Sequence, residues 1–113
     1  RLGFSVRSIS PERHDQLVSQ ISHVPHAVAS VLMHSVSRKA LPYASTGFRD
    51  TTRVAEGKET IWTPIFLANR SHVVRDLRRF QRVLGRFISS LGRGSGVSVR
   101  AFLKQASRKR SRM

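Results

Sequence analysis

The sequence contains no cysteine, so disulfide bonds and thiolate metal sites are both excluded. It also contains no apolar run that approaches the roughly 20 residues a helix needs to cross a bilayer. The chain opens with Arg1, and neither an initiator methionine nor an apolar leader follows. We therefore expect a cytosolic protein whose natural sequence begins before residue 1.

Acidic residues are scarce. Six Asp and Glu stand against 21 Lys and Arg, which gives a formal net charge of +15 and an isoelectric point near 12.0. A field of this sign attracts nucleic acids, acidic membranes or small polyanionic substrates. Arg outnumbers Lys by 17 to 4, and its planar guanidinium binds carboxylates and phosphates through two hydrogen bonds. Composition alone supports a nucleic-acid-binding module and a basic domain of another kind equally well.

The length of 113 residues fits one domain and leaves no room for a separate domain that binds a cofactor. Residues 1–10 alternate weakly between apolar and polar side chains, which predicts a short strand. One strand cannot pair its own backbone groups, so we expect its sheet to lie outside this chain. The remaining pattern predicts a helical domain at residues 11–106 and a basic, disordered tail at residues 107–113.

The first helix has a clear start signal. Ser10 is a typical N-cap, and Pro11 fits the first helical position. Apolar residues then recur at helical spacing as far as Val36. Because Pro25 lies inside this pattern, we expect a kink or break near residues 21–22.

The rest of the chain predicts further helices. A loop is expected at residues 38–47, and a short helix at residues 50–56 that Gly57 ends. A long helix is predicted over residues 59–91, and a last one over residues 97–106. The fold class is therefore all-α, a bundle of four or five helices.

The long predicted helix has two distinct faces. Its apolar residues alternate steps of four and three, the seam of a helix packed lengthwise on a partner helix. These seam residues are Val73, Leu77, Phe80, Leu84, Phe87 and Leu91. Five arginines cover the other faces, at positions 75, 78, 79, 82 and 86.

His23 and His26 are the first candidates for chemistry, since they are three residues apart on one helix. They could ligate a metal if two further ligands joined them, but no spacing in the chain selects such ligands. They could equally be helix histidines with local hydrogen bonds, or imidazoles that line an anion pocket.

A second candidate is the segment from Gly47 to Arg53. Arg49 and Arg53 are four residues apart and share a helix face. Arg53 could bind a carboxylate through two of its guanidinium nitrogens, with Asp50 holding the guanidinium in place. The alternative is a surface ion pair that contributes about 0–1 kcal/mol.

Two single residues complete the set. Trp62, the one tryptophan of the chain, is typical of a core anchor near a helix start. Asn69 interrupts an apolar stripe, and we expect its amide to bond a backbone group inside the bundle.

These segments follow one another in a fixed order: His14-Asp15, then Ser22-His23-Val24-Pro25-His26, then Gly47-Phe48-Arg49-Asp50-Thr51-Thr52-Arg53-Val54-Ala55, then Trp62 and Asn69. Together they resemble the C-terminal helical domain of the prephenate and arogenate dehydrogenase family. The resemblance covers residues 2–91 and leaves residues 92–113 unmatched.

The resemblance implies an N-terminal Rossmann domain outside this chain, with residues 2–9 as its last strand. That domain would bind NAD or NADP and supply the catalytic histidine, so this chain alone should be inactive. The whole enzyme would convert prephenate to 4-hydroxyphenylpyruvate, or use arogenate, as a homodimer held by the helical domain. It implies no nucleic-acid and no membrane partner. A basic helical module that binds nucleic acid is the alternative hypothesis.

The resemblance also implies residue roles. Arg53 matches the arginine that binds a substrate carboxylate, His26 a residue of the substrate pocket, and Trp62 the aromatic residue at its edge. Gly47 and Asp50 match the loop that borders the pocket. The remaining matches, near the domain junction, are His14, Asp15 and His23. No catalytic residue and no metal ligand is expected in this chain. We expect Arg53, His26 and Trp62 to share one cavity.

Overall fold

The computed structural model describes residues 8–113. Most of the strand predicted at residues 1–10 lies outside this range. Within the described residues, every regular element is helical, so the predicted all-α fold class is confirmed. The predicted division of the chain at residues 10 and 106 stays a prediction.

The chain begins with one long helical stretch in three parts. Helix α1 is Pro11–Val18, a π-helical segment follows at Ser19–His23, and α2 is Val24–Ser35. The Ser10 hydroxyl accepts a hydrogen bond from the Arg13 amide at 3.1 Å, which confirms the predicted N-cap. Pro25 lies in the first turn of α2 and has no amide hydrogen to donate. The π segment therefore occupies the predicted site of the kink.

Short helices fill the middle of the chain. The expected loop contains a 3₁₀ turn at Leu41–Tyr43, and α3 begins earlier than predicted, at Thr46–Thr52. A second 3₁₀ helix, Arg53–Glu56, ends at Gly57, and α4 is Glu59–Ala68.

The prediction of a single long helix at residues 59–91 is wrong. This segment is divided at Asn69 into α4 and α5, where α5 is Arg70–Gly92. Asn69 leaves helical geometry with φ −112° and ψ 28°, and its side-chain amide donates to the carbonyl oxygen of Asp15 at 2.9 Å. Tertiary hydrogen bonding outweighs helical periodicity at this residue.

The last helix, α6, is Gly96–Ser111. The prediction that residues 107–113 are disordered is therefore wrong for residues 107–111. Arg108, Lys109 and Arg110 occupy its last turn, where positive charge is favoured by the helix dipole. The turn before α6 requires a glycine at Gly94, whose φ is +66°.

The fold comprises two compact units, the N-terminal unit Arg1–Asp76 and the C-terminal unit Leu77–Met113. The N-terminal unit has Ala29 and Val73 as buried apolar residues. Its buried polar residues are more numerous: Ser19, His26, Thr52, Asn69 and Asp76. In the C-terminal unit, the Phe87 and Phe102 rings pack with centroids 4.9 Å apart.

Candidate functional site

Four rings from α4, the π-helical segment and the start of α2 form what we call the aromatic cluster: His23, His26, Trp62 and Phe66. The His26 and Trp62 rings are stacked, with centroids 4.0 Å apart and planes inclined by 18°. Phe66 meets the His26 ring on an edge, at 5.7 Å. His23 contacts the Trp62 indole edge-on, at 6.1 Å. The spacing of four between Trp62 and Phe66 places both on one face of α4.

Gly57 lies directly against this stack. A Cβ atom at position 57 would come within 2.7 Å of Trp62 Nε1 and 2.9 Å of His26 Cε1. Both distances are shorter than any van der Waals contact, so the backbone at Gly57 approaches the two rings closely because it has no side chain. The sequence marked Gly57 only as the end of a helix.

The buried His26 imidazole has an unused hydrogen-bonding atom. His26 is 6% exposed, and its Nδ1 atom has no hydrogen-bond partner among residues 8–113. A buried nitrogen without a partner is costly. The contacts that the described residues make with this ring are the stack on Trp62 and the edge contact with Phe66.

His23 belongs to a short hydrogen-bonded chain. The Asn69 amide donates to His23 Nδ1 at 3.3 Å and to the Asp15 carbonyl oxygen at 2.9 Å. Because Nδ1 accepts this bond, the arrangement suits the neutral imidazole. Burial lowers the pKa of His23 below its ordinary value of 6.5, the Asp15 carboxylate opposes this shift, and His14 adds to it.

A cavity of about 550 Å³ lies beside α3 and the 3₁₀ helix that follows it. We call it the arginine cavity, because Arg49 and Arg53 lie in its wall. Met33, Leu41 and Phe48 form its apolar side. Asp50 and Glu56 also contribute to the lining, so the cavity presents two cations, two carboxylates and an apolar surface.

The predicted site residues fall into two groups in the structure. Arg53 and Asp50 line the arginine cavity, whereas His26 and Trp62 are not among its lining residues. His26 and Trp62 stack on each other in the aromatic cluster, and the expectation that they share one cavity with Arg53 stays a prediction. The two parts of the site are joined through the 3₁₀ helix, which begins at Arg53 and ends at Gly57.

The other predicted site residues lie around these parts. Gly47 is an exposed residue of α3, and a Cβ atom there would meet nothing within 4 Å. His14 is exposed, and its Nδ1 is 3.4 Å from the Asp15 carboxylate. The roles that the resemblance gives to all these residues remain proposals.

Two polar contacts between the first helical stretch and α5 were not predicted. The Ser19 hydroxyl donates to the buried Asp76 carboxylate at 2.8 Å. His72 Nε2 lies 3.0 Å from the Glu12 carboxylate. The partners are far apart in the sequence, and neither pair belongs to a motif, so no sequence signal could have found them.

Neither a metal site nor a membrane span is found in the described range. Among residues 8–113, no three His, Asp or Glu side chains come together as a candidate metal site. No helix there combines the length and apolar character that crossing a bilayer requires.

Comparison with known proteins identifies the family of this chain. Residues 10–105 match the prephenate dehydrogenase dimerization domain, and the chain belongs to that family. This match confirms the resemblance read from the sequence. It also extends past residue 91 and so includes part of the segment that the sequence left unmatched.

Individual relatives agree with the family. Prephenate dehydrogenase of Bacillus subtilis (strain 168) is 40% identical over 72 residues, which is 58% of this chain and 19% of that protein. Synechocystis arogenate dehydrogenase has a TM-score of 0.89 at 26% identity, over 97% of this chain and 42% of that one. Prephenate dehydrogenase from A. aeolicus, in complex with hydroxyphenyl propionate and NAD+, has a TM-score of 0.85 at 31% identity, over 96% of this chain and 40% of that one. The chain therefore spans less than half the length of these relatives.

Proposed function

We propose that this chain is the dimerisation and substrate-binding part of a cytosolic, NAD(P)-dependent prephenate or arogenate dehydrogenase. The whole enzyme would carry out an oxidative decarboxylation of its substrate, which for prephenate gives 4-hydroxyphenylpyruvate in tyrosine biosynthesis. The observation that carries the proposal is the position of Arg53 in a cavity of substrate size, within a chain of the prephenate dehydrogenase dimerization family.

The charges of the arginine cavity suit this substrate class. Within residues 8–113, neither Arg49 nor Arg53 forms an ion pair with a carboxylate, although Asp50 and Glu56 line the same cavity. A guanidinium without an ion-pair partner is available for a substrate carboxylate, which it can bind through two parallel hydrogen bonds. Prephenate carries two carboxylates. Arogenate has an ammonium group, which could donate hydrogen bonds to the carboxylate of Asp50 or Glu56.

The apolar wall provides the second element of recognition. Phe48, Leu41 and Met33 face the same space as the two arginines. A cyclohexadiene ring would contact these side chains while its carboxylate meets Arg53. Fixing both ends of the substrate orients the carbon that reacts, and orientation alone can contribute several kcal/mol to catalysis.

The redox chemistry belongs to a cofactor outside this chain. The 113 residues contain no Gly-x-Gly-x-x-Gly sequence, the fingerprint of dinucleotide-binding domains. NAD or NADP, when bound to the enzyme, would accept the hydride. The contribution of this chain would be to bind and orient the substrate.

An exposed apolar face supports the homodimer. In the C-terminal unit, Phe80, Leu84, Ile88 and Leu91 of α5 are between 42% and 59% exposed. Large apolar side chains clustered on a helix face are typical of an interaction surface. We assign this face to the dimer contact, in keeping with the description of the family.

Assay of the whole protein tests the proposal. Prephenate and arogenate are each supplied with NAD and with NADP, and reduced nicotinamide is followed by absorbance. Turnover of at least one of these pairs is expected, with carbon dioxide released in equal amount. If none of the pairs reacts while the protein is folded and dimeric, the proposed function is wrong.

A further inference from the structure

Positive charge is segregated along this chain. The C-terminal unit, Leu77–Met113, contains eleven Lys and Arg and no Asp or Glu. All six acidic residues of the protein lie at or before Asp76. Every one of the eleven cations is exposed. Since the unit has no carboxylate side chain, these cations have no acidic partner within it.

The cations form ordered faces on both helices of the unit. Arg79, Arg82 and Arg86 follow one another at steps of three and four on α5, and so share a face. Arg100, Lys104 and Arg108 do the same at steps of four on α6. We call these six residues the cationic faces.

The cationic faces point away from the apolar contact between the helices. Each residue of an α-helix is turned by about 100° from the one before it. Arg82 is therefore about 200° around the helix from Leu84, a residue of the α5 seam. Lys104 and Phe102 are separated by the same angle on α6. Because Phe102 packs against Phe87, the cations of α6 are directed toward solvent.

The proposed enzyme activity does not account for these charges. The arginine cavity lies in the N-terminal unit and draws on Arg49 and Arg53. The family match ends at residue 105. Four of the eleven cations lie beyond it, namely Arg108, Lys109, Arg110 and Arg112.

We propose that the C-terminal unit binds nucleic acid through its phosphate backbone. Nine of its eleven cations are arginine, the side chain best suited to bidentate contact with phosphate. Neither cationic face carries an aromatic residue on which bases could stack, so the binding is to the backbone and independent of base sequence. The resemblance read from the sequence gave no nucleic-acid partner, and the segregation of charge is the reason to propose one.

A phosphate backbone fits this surface better than an acidic membrane does. Basic helices that lie on membranes place aromatic and large apolar side chains in the lipid. In the C-terminal unit, Phe102 of α6 packs against Phe87 instead, and the exposed apolar face of α5 is the one assigned to the dimer contact. Binding to an acidic membrane is the alternative outcome, which the experiment distinguishes.

The test measures binding of the 113-residue chain to fluorescein-labelled single-stranded RNA and duplex DNA of about 20 nucleotides, by fluorescence anisotropy. Non-specific binding with a Kd of about 1–100 µM is expected near physiological salt. Replacing Arg79, Arg82 and Arg86 by Gln should lower the slope of log K against log salt concentration by about 2–3, since each phosphate contact contributes about 0.7–0.9. Vesicles of phosphatidylcholine with phosphatidylserine, in place of the oligonucleotides, form the membrane arm.

A variant with the same net charge is the control. Replacing Arg13, Arg38 and Lys39 by Gln removes three exposed cations from the N-terminal unit and should leave the slope nearly unchanged. A second variant, with Gln at positions 100, 104 and 108, repeats the test on α6 if the α5 variant does not fold. The proposal would be overturned if the N-terminal control variant lowered the slope as much as the α5 or α6 variant. It would also be overturned by binding to vesicles but not to oligonucleotides, or by no binding at about 50 mM salt.

Discussion

The imidazole of His26 lies flat on the indole of Trp62, with ring centroids 4.0 Å apart, and Gly57 lies against the edge of both rings. This contact joins α2 to α4 and fixes the end of the 3₁₀ helix that begins at Arg53. The backbone that carries Arg53 is therefore held in place by a contact that depends on the absence of a side chain at residue 57.

The first prediction concerns Gly57→Ala. The new methyl group would lie 2.7 Å from Trp62 Nε1, so the rings or the backbone must move. Overpacking of this kind costs about 1–3 kcal/mol, and we expect that loss in the free energy of unfolding measured with urea. Gly47→Ala is the matched control, because its methyl group would enter open space within α3. It should be neutral or stabilising by up to about 1 kcal/mol, and equal losses in the two variants would contradict the account.

The second prediction concerns the contact between Ser19 and Asp76. Ser19 is fully buried and Asp76 is 5% exposed, so Ser19→Ala leaves a buried carboxyl oxygen without its 2.8 Å donor. The expected loss is about 1.5–3 kcal/mol in the free energy of unfolding. Ser35→Ala removes an exposed hydroxyl that bonds its own helix, and should change stability by less than about 0.5 kcal/mol. A Ser19→Ala effect no larger than that of Ser35→Ala would show that this contact stabilises nothing.

The third prediction is a dependence of stability on pH through His23. Burial lowers the pKa of His23 in the folded chain below 6.5, so at acidic pH the unfolded chain binds more protons than the folded one. Neutral His23 thus makes its full contribution to the free energy of unfolding above pH 6.5. This contribution is lost as the pH falls through the lower pKa of the folded chain. His23→Asn keeps an acceptor for Asn69 but cannot titrate. Between about pH 7.5 and 5 the wild type should lose more stability than this variant. Parallel curves would show that His23 is not responsible.

The fourth prediction tests the dimer face. Leu84 of the α5 seam is 46% exposed, and Leu84→Asp would place a charge in the proposed apolar contact. Sedimentation equilibrium should show the dimer dissociation constant raised at least about tenfold, which corresponds to about 1.4 kcal/mol. Ser89→Asp introduces the same charge at an exposed position outside the seam and should leave the constant within about threefold. An unchanged dimer in the Leu84 variant would place the interface elsewhere.

The sequence predicted those parts of the fold that depend on local rules. The Ser10 N-cap and the disturbance before Pro25 follow from backbone chemistry within a few residues, and the structure confirms both. The expected bond from Asn69 to a backbone group is also confirmed. The break that Asn69 causes between α4 and α5 was not predicted, because its partner Asp15 is remote in the sequence.

The site could be predicted only as a set of residues. Arg53 and Asp50 are close in the chain, and the structure places both in one cavity. The position of His26 relative to that cavity depends on how α2 packs against Trp62, which periodicity does not specify. The close approach of Gly57 to both rings is likewise a tertiary contact, and glycine in the sequence indicated only a helix end.

Substitution of Arg53 in the whole enzyme tests the central claim most directly. Arg53→Ala removes the guanidinium from the arginine cavity, and we predict that KM for the substrate rises at least about tenfold, or about 1.4 kcal/mol. Arg38→Ala, at an exposed position outside that cavity, should leave KM unchanged. A KM in the Arg53 variant equal to that of the wild type would contradict the assignment of this cavity to the substrate.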